Sequence, residues 1–331
     1  MERIGVSFGR NYHIGPDEYA KLAQEAESLG FTAVSVPEAW GRDAMVMLAQ
    51  LAVRTTTIEL LTGIVTVYGR TPAMLAQAAA TVDELSKGRM VLGLGVSGPK
   101  VIEGWHGMPW ERPLRRTREY VDIIRTVVSG QRVNYDGHFF HLRDFKLQFT
   151  PYRDRIPIHL GAYGPKNLQL TGEIADGWVG GEASVENLPD FLAHVEEGAR
   201  RAGRSMADLT ITMSVGLCYG TDEKVVRRLT QESLAYRIGG LGPFHYGAIA
   251  RQGFEKECQT IKRLWGQFKR DEAAEQVTDE MLEQFSCAGG PEQGRQRIQE
   301  LRRLGVDLPI VGFPKGVTPE IIRTTLKRLA S

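Results

Sequence analysis

Three stretches combine residue types that could do chemistry, and each follows an apolar run. In Leu92–Gly107, LGLGVSGPKVIEGWHG, the apolar run opens into Gly95, Ser97, Gly98 and Pro99. It then offers a carboxylate, an indole and an imidazole in Glu103, Trp105 and His106. Carboxylates and imidazoles are the usual proton carriers of enzymes, and an indole walls an apolar pocket. A second stretch, Pro37-Glu38-Ala39-Trp40, repeats the acid–indole pairing. For Glu38 the competing reading is a helix-capping or surface carboxylate. The third, Gly161-Ala162-Tyr163-Gly164-Pro165-Lys166, places glycines before a proline-led helical pattern. Unpaired N–H groups at such a helix start lie at the positive end of the helix dipole and suit a phosphate. A tight strand-to-helix turn that needs glycine for its geometry would read the same way. Asn11 and His13 follow the first apolar run, Arg70 precedes a helix and is placed to reach an anion, and His138 and His141 read as surface residues.

These stretches need elements to position them. Ile4–Phe8, Ala33–Val36, Ile58–Leu61, Met90–Leu94, Ile156–Leu160, Asp176–Val179, Leu209–Leu217 and Leu308–Phe313 read as short strands. Helical patterns alternate with them: Tyr19–Leu29, Ala44–Ala52, Thr71–Leu85, Arg115–Val128, Pro165–Glu173, Asn187–Ala202, Thr221–Tyr236, Pro291–Leu304 and Pro319–Leu329. Sustained alternation predicts a parallel α/β sheet. Eight units predict a closed (β/α)8 TIM barrel rather than an open doubly wound sheet. Two segments break the rhythm. Val133–Leu147 reads as a hairpin insertion turning at Asp136-Gly137 after the fourth unit. Phe244–Phe285 reads as a helical insertion before strand eight. One domain over residues 1–331 is expected. Barrel sites lie where strands end, so the three stretches converge with Gly63–Ile64 after strand three and Gly180-Gly181-Glu182 after strand six.

Lys plus Arg number 41 against 40 Asp plus Glu, a net charge of +1. No field of either sign points to nucleic acid or an anionic membrane as partner. Cys218, Cys258 and Cys287 form no CxxC pair, so neither a metal site nor a dithiol redox centre is expected, and a reducing cytoplasm suits them. MERIGVSFGR enters a strand at once, and neither a signal peptide nor a transmembrane segment is expected.

The ordered set RTPA (70–73), DELSKGR (83–89), LGLGVSGP (92–99), GWHG (104–107), GAYGPKN (161–167) and EIADGW (173–178) resembles the bacterial luciferase-like superfamily. It is most similar to the deazaflavin (coenzyme F420)-dependent oxidoreductases, including methylenetetrahydromethanopterin reductase. The resemblance implies a hydride transfer between F420 and a small organic substrate. FMN-dependent monooxygenase and non-catalytic flavin-binding members are the alternatives. It also implies a non-proline cis peptide at Gly63–Ile64, forming a bulge behind the deazaflavin ring. Ser97, Gly98 and Pro99 would touch the cofactor's polar chain. Gly161, Ala162, Gly164 and Pro165 would hold its phosphate, and Gly180 and Gly181 would line the channel for its tail. Glu38 is the first acid–base candidate, followed by His106 and Glu103. Trp40, Trp105 and His13 are candidates for the substrate pocket. Where relatives carry Asp-His, this chain has Glu38-Ala39. Where some place a glutamate after the fourth strand's glycines, it has Pro99. A homodimer through helices two and three is implied as well.

Overall fold

The computed structural model describes residues 2–220, 222–287 and 290–330. In chain order the elements are β1 (Gly5–Ser7), α1 (Pro16–Ser28), β2 (Ala33–Val36), α2 (Ala44–Arg54), β3 (Glu59–Thr62), β4 (Val65–Thr66), α3 (Pro72–Ser86), β5 (Met90–Gly95), α4 (Pro99–Gly104) and α5 (Pro113–Val128). A hairpin of β6 (Val133–Asp136) and β7 (His141–Phe145) leads to β8 (Ile158–Gly161), α6 (Pro165–Ile174), β9 (Gly177–Gly180), α7 (Leu188–Arg201) and β10 (Thr210–Gly216). Then come α8 (Glu223–Gly240), α9 (Pro243–Ile249), a π-helical turn (Ala250–Phe254), α10 (Glu255–Gly266), α11 (Arg270–Glu275), α12 (Asp279–Phe285), α13 (Pro291–Arg303), β11 (Leu308–Gly312) and α14 (Pro319–Ala330). The expected start of α8 at Thr221 lies outside the described residues.

Neighbouring strands pair in parallel in the order β3-β2-β1-β11-β10-β9-β8-β5, and β5 also pairs with β3, which closes the barrel. All residues of β2 and β5 are buried. Helices cover the outer face and packed side chains fill the inner one, so such strands read as nearly unbroken apolar runs. The helices start on local signals: the Asp43 and Thr71 side chains accept from Val46 N–H and Met74 N–H, and Pro72 occupies the first turn of α3.

Two local features differ from expectation. The chain after Gly98 is helical through α4, because Pro99 starts a turn that continues to Gly104. The hairpin turn spans Gly137–Phe140 and not Asp136-Gly137 alone. Glu119 of α5 accepts from His138 N–H and Phe139 N–H, both at 2.9 Å, while Gly137 N–H donates to Phe140 C=O. A distant carboxylate therefore organises the turn, which no local pattern signals. Burial raises the Glu119 pKa, but those two amides and Arg115 more than offset it and hold the carboxyl below its ordinary range. Glu119→Ala is expected to cost about 2 kcal/mol, because two partly buried amides lose a charged acceptor. A lower urea midpoint and faster proteolytic nicking at residues 137–140 would show it.

The helical insertion has a core of its own, with Leu234, Ile238, Phe254, Ile261, Met281 and Phe285 clustered apart from the barrel core. Its α8–α9 corner lies across the mouth of the barrel, where Phe244 approaches Trp110 at 5.5 Å between ring centroids.

Candidate functional site

The centre of the mouth is a bulge between β3 and β4. The Gly63–Ile64 peptide is cis. Four glycines make room around it. A Cβ at Gly63 would lie 2.1 Å from Ser35 Oγ, one at Gly93 2.0 Å from the Thr62 carbonyl oxygen, and one at Gly95 2.6 Å from Ile64 Cδ1. At Gly161 it would meet Ile64 Cγ2 at 3.4 Å. Thr62 completes the ladder where the strand departs from it: its hydroxyl donates to Gly93 C=O at 2.8 Å and accepts from Gly93 N–H at 2.7 Å. Half-buried Ile64 is thereby pressed against the β5 and β8 exits and remains partly open to the mouth. No local signal in the sequence assigns this role to Thr62 or Gly93.

Beside the bulge, the 161–164 turn opens onto α6. Gly164 caps that helix without a side-chain hydrogen bond, and a Cβ there would meet nothing within 4 Å. The helix start is thus open to an anion. Trp178 Nε1–H donates to Ala162 C=O at 3.0 Å and pins the turn from behind. Ser97 adopts φ 53°, and Gly98 runs past the Phe244 ring, 3.8 Å from a Cβ placed there. Gly181 faces Tyr163 Oη and Ser214. Gly180 answers to packing, since a Cβ there would stand 2.4 Å from the Trp178 indole.

Glu38 has no free oxygen. Arg70 donates to Oε1 at 2.7 Å and to Oε2 at 2.9 Å, and Ala44 N–H at the start of α2 donates to Oε2 at 2.9 Å. Arg70 also pairs with Asp43. The helix-capping reading is the one this geometry matches: the anion that Arg70 reaches is the protein's own, and Glu38 fixes the β2 exit. Glu103 and Trp105 are exposed, and His106 stands against Gly69. His13 Nε2 contacts Val317 C=O at 2.9 Å. Asn11 donates to Phe8 and Pro314 carbonyls and accepts from Gly316 N–H, so both side chains tie the β1 and β11 exits together. Trp40 lies 5.8 Å from the Arg10 guanidinium, which donates to Tyr236 Oη at 2.6 Å.

A second polar cluster forms where the insertion meets the β9 exit. Glu182, 3% exposed, accepts from His245 Nδ1–H at 2.9 Å and lies 3.4 Å from Arg237 Nη1. Burial pushes its pKa up, yet Arg237, the hydrogen bond from His245 and Arg10 outweigh that and hold the carboxyl low. Glu182 was visible as a strand exit, but its partners are 55 and 63 residues away. Among the described residues no cluster of side chains suits a metal ion.

The profile of the luciferase-like monooxygenase family matches residues 4–308. A Mycobacterium tuberculosis protein provisionally named a coenzyme F420-dependent oxidoreductase is 34% identical over 327 residues, 93% of this chain and 94% of that one. The 5,10-methylenetetrahydromethanopterin reductase of Archaeoglobus fulgidus is 34% identical over 304 residues, 90% of this chain and 89% of its own. The solved coenzyme F420-dependent tetrahydromethanopterin reductase of Methanopyrus kandleri is 25% identical, superposes with a TM-score of 0.88, and is matched over 100% of this chain and 98% of that one. A closed parallel barrel with a glycine-walled bulge, together with a profile spanning nearly the whole chain, makes this protein a member of the bacterial luciferase-like family.

Proposed function

We propose that the protein is an oxidoreductase that moves a hydride between coenzyme F420 and a small organic substrate. The observation that carries this reading is the juxtaposition of the Ile64 prow, set in its glycine notch, with the open 161–164 turn at one barrel mouth. A flat apolar ring bearing a phosphorylated arm fits that pairing, and the relatives' names support F420. Gly63 and Ile64 would back the ring. Ser97, Gly98 and Pro99 would follow its polar chain. Gly161, Ala162, Gly164 and Pro165 would take the phosphate, with Gly180 and Gly181 at the channel beyond. When bound, the reduced deazaflavin supplies a hydride from its ring carbon. The chain's part is to hold that ring still, cover one face and exclude water from the other. Trp40, His13 and Trp105 border the substrate side. Glu38 positions the β2 exit, while His106 and Glu103 flank the entrance.

Fluorescence titration of the purified protein with F420 and, separately, with FMN tests the cofactor. F420 should bind at least about tenfold more tightly, a difference of roughly 1.4 kcal/mol. Stoichiometric FMN binding without F420 binding would overturn the reading, and substrate-dependent oxygen uptake would then point to a monooxygenase. Screening methylenetetrahydromethanopterin, alcohols, sugar phosphates and unsaturated carbonyls identifies the acceptor. Tight cofactor binding with no turnover across that screen would favour a non-catalytic flavin-binding protein.

We also propose a homodimer through α2 and α3. Val46 and Val53 on α2, and Met74 and Leu85 on α3, are exposed apolar side chains on adjacent helices, the kind of patch a second copy covers. Val46→Glu with Val53→Glu should halve the mass measured by light scattering. An unchanged mass would exclude this face. Work in a reducing cytoplasm is the accompanying proposal, supported by the free, buried state of Cys218, Cys258 and Cys287. Among the described residues no helix is long and apolar enough to cross a membrane.

A further inference from the structure

We propose that His245, oriented by Glu182, is the proton-transfer residue of the mouth, an assignment that rests on the hydride-transfer reading above. The Glu38 oxygens are occupied by Arg70 and Ala44 N–H, and Glu103 stands in solvent. Glu182 and His245 are arranged differently. The carboxylate is buried, and its Oε1 accepts from Nδ1–H. Its Oε2 has no hydrogen bond and only the ion pair with Arg237 at 3.4 Å. With Nδ1 committed as donor, neutral His245 carries its lone pair on Nε2, and among the described residues Nε2 has no partner. A carboxylate behind an imidazole fixes the tautomer in this way and stabilises the imidazolium when it forms.

The pair is anchored to the cofactor end of the barrel. The His245 ring meets Tyr163, in the 161–164 turn, edge-on at 5.3 Å, and that turn begins at Gly161 against Ile64. Next to His245, Phe244 lies over Gly98. The Gln252 side chain, in the π-helical turn, donates to Glu182 C=O at 2.6 Å and accepts from Ser184 N–H at 2.8 Å, which locks the acid's backbone. The charged and titratable groups facing the pair are Arg237 from α8, Arg10 from the β1 exit and Tyr163 from the β8 exit. In reduction, the carbon of a C=O or C=N bond would gain the hydride that a bound reduced deazaflavin supplies. The π electron pair moves to the heteroatom, which takes the proton from Nε2 of the imidazolium, and water reprotonates the ring. Oxidation runs the same transfers backwards.

Imidazole 15N NMR of the cofactor-free protein should show His245 as the Nδ1–H tautomer, the minor form of free histidine. Glu182→Ala should return it to Nε2–H, and Glu182→Gln, which keeps an acceptor, should restore Nδ1–H. Saturation with F420 should move the His245 Nε2 resonance. With reduced F420 and the acceptor found in the screen, His245→Asn should lower kcat about 100-fold while the F420 Kd stays within twofold. Circular dichroism and urea midpoints of the variants control for folding. An Nε2–H tautomer in the wild type, a His245 signal indifferent to F420, or wild-type kcat in His245→Asn would each overturn the assignment. Binding of FMN in place of F420 would instead defeat the cofactor reading, and the tautomer experiment would still decide the pair.

Discussion

Gly93→Ala is expected to lose about 3 kcal/mol of stability and to weaken F420 binding at least about tenfold. The added methyl would stand 2.0 Å from the Thr62 carbonyl oxygen, 3.1 Å from its carbon and 3.3 Å from Ile64 Cγ2. The first two are backbone atoms of the neighbouring strand, so no rotamer change relieves the clash. The strands must separate instead. Doing so pulls Gly93 N–H and C=O away from the Thr62 hydroxyl that serves both, in a buried position where water cannot replace it. Overpacking and lost hydrogen bonds then add, and the bulge that aims Ile64 into the mouth is displaced with them. Urea unfolding and F420 titration read the two effects. Gly104→Ala is the control, because a Cβ there meets nothing within 4 Å and should change neither. A Gly93→Ala protein with wild-type midpoint and affinity would show that the notch does not hold the bulge.

Acidification should expose a second large effect, seated at His159. This side chain is 4% exposed within β8, close against Gly177, and its Nδ1 has no partner. Burial holds its pKa down from 6.5 to about 4, with Asp176 pulling it up and Arg3 adding to the depression. The native ring therefore stays neutral where the unfolded chain's ring takes a proton. The unfolded state binds more protons below pH 6.5, so the contribution is intact above that value. The loss grows as pH falls towards 4 and reaches about 3 kcal/mol by then. The carboxylates held below their ordinary range, such as Glu119 and Asp176, lose their contribution lower still. Urea midpoints of the wild type and His159→Gln between pH 7 and 4.5 isolate the histidine. The wild type should fall more steeply, and parallel curves for the two proteins would refute the assignment.

Much of the architecture is legible in the sequence alone. Strands buried on both faces, such as β2 and β5, are mostly apolar along their length, and helices over a barrel must carry one apolar stripe. The eight units and both insertions therefore followed from periodicity, and Pro72, Pro165 and Pro319 marked helix starts. The mouth was legible as a set of strand exits, because glycines at 63, 95, 161 and 181 stand out where such turns occur. The roles of its acids were not. In the sequence Glu38 reads both as an acid–base candidate and as a helix-capping carboxylate, and only the fold shows Arg70, 32 residues on, filling both of its oxygens. Glu119 gave no sign that it shapes a hairpin turn. Glu182 could not be joined to His245 until the insertion folded back over the barrel.

Backbone periodicity and turn chemistry are local properties, so the residues themselves determined the barrel, its insertions and the end at which the glycine-rich strand exits gather. Which carboxylate is locked in an ion pair and which lies behind an imidazole depends on side chains meeting across closed strands. Only the tertiary structure decided that, because closure of the ring brings together groups whose separation along the chain carries no energetic signal.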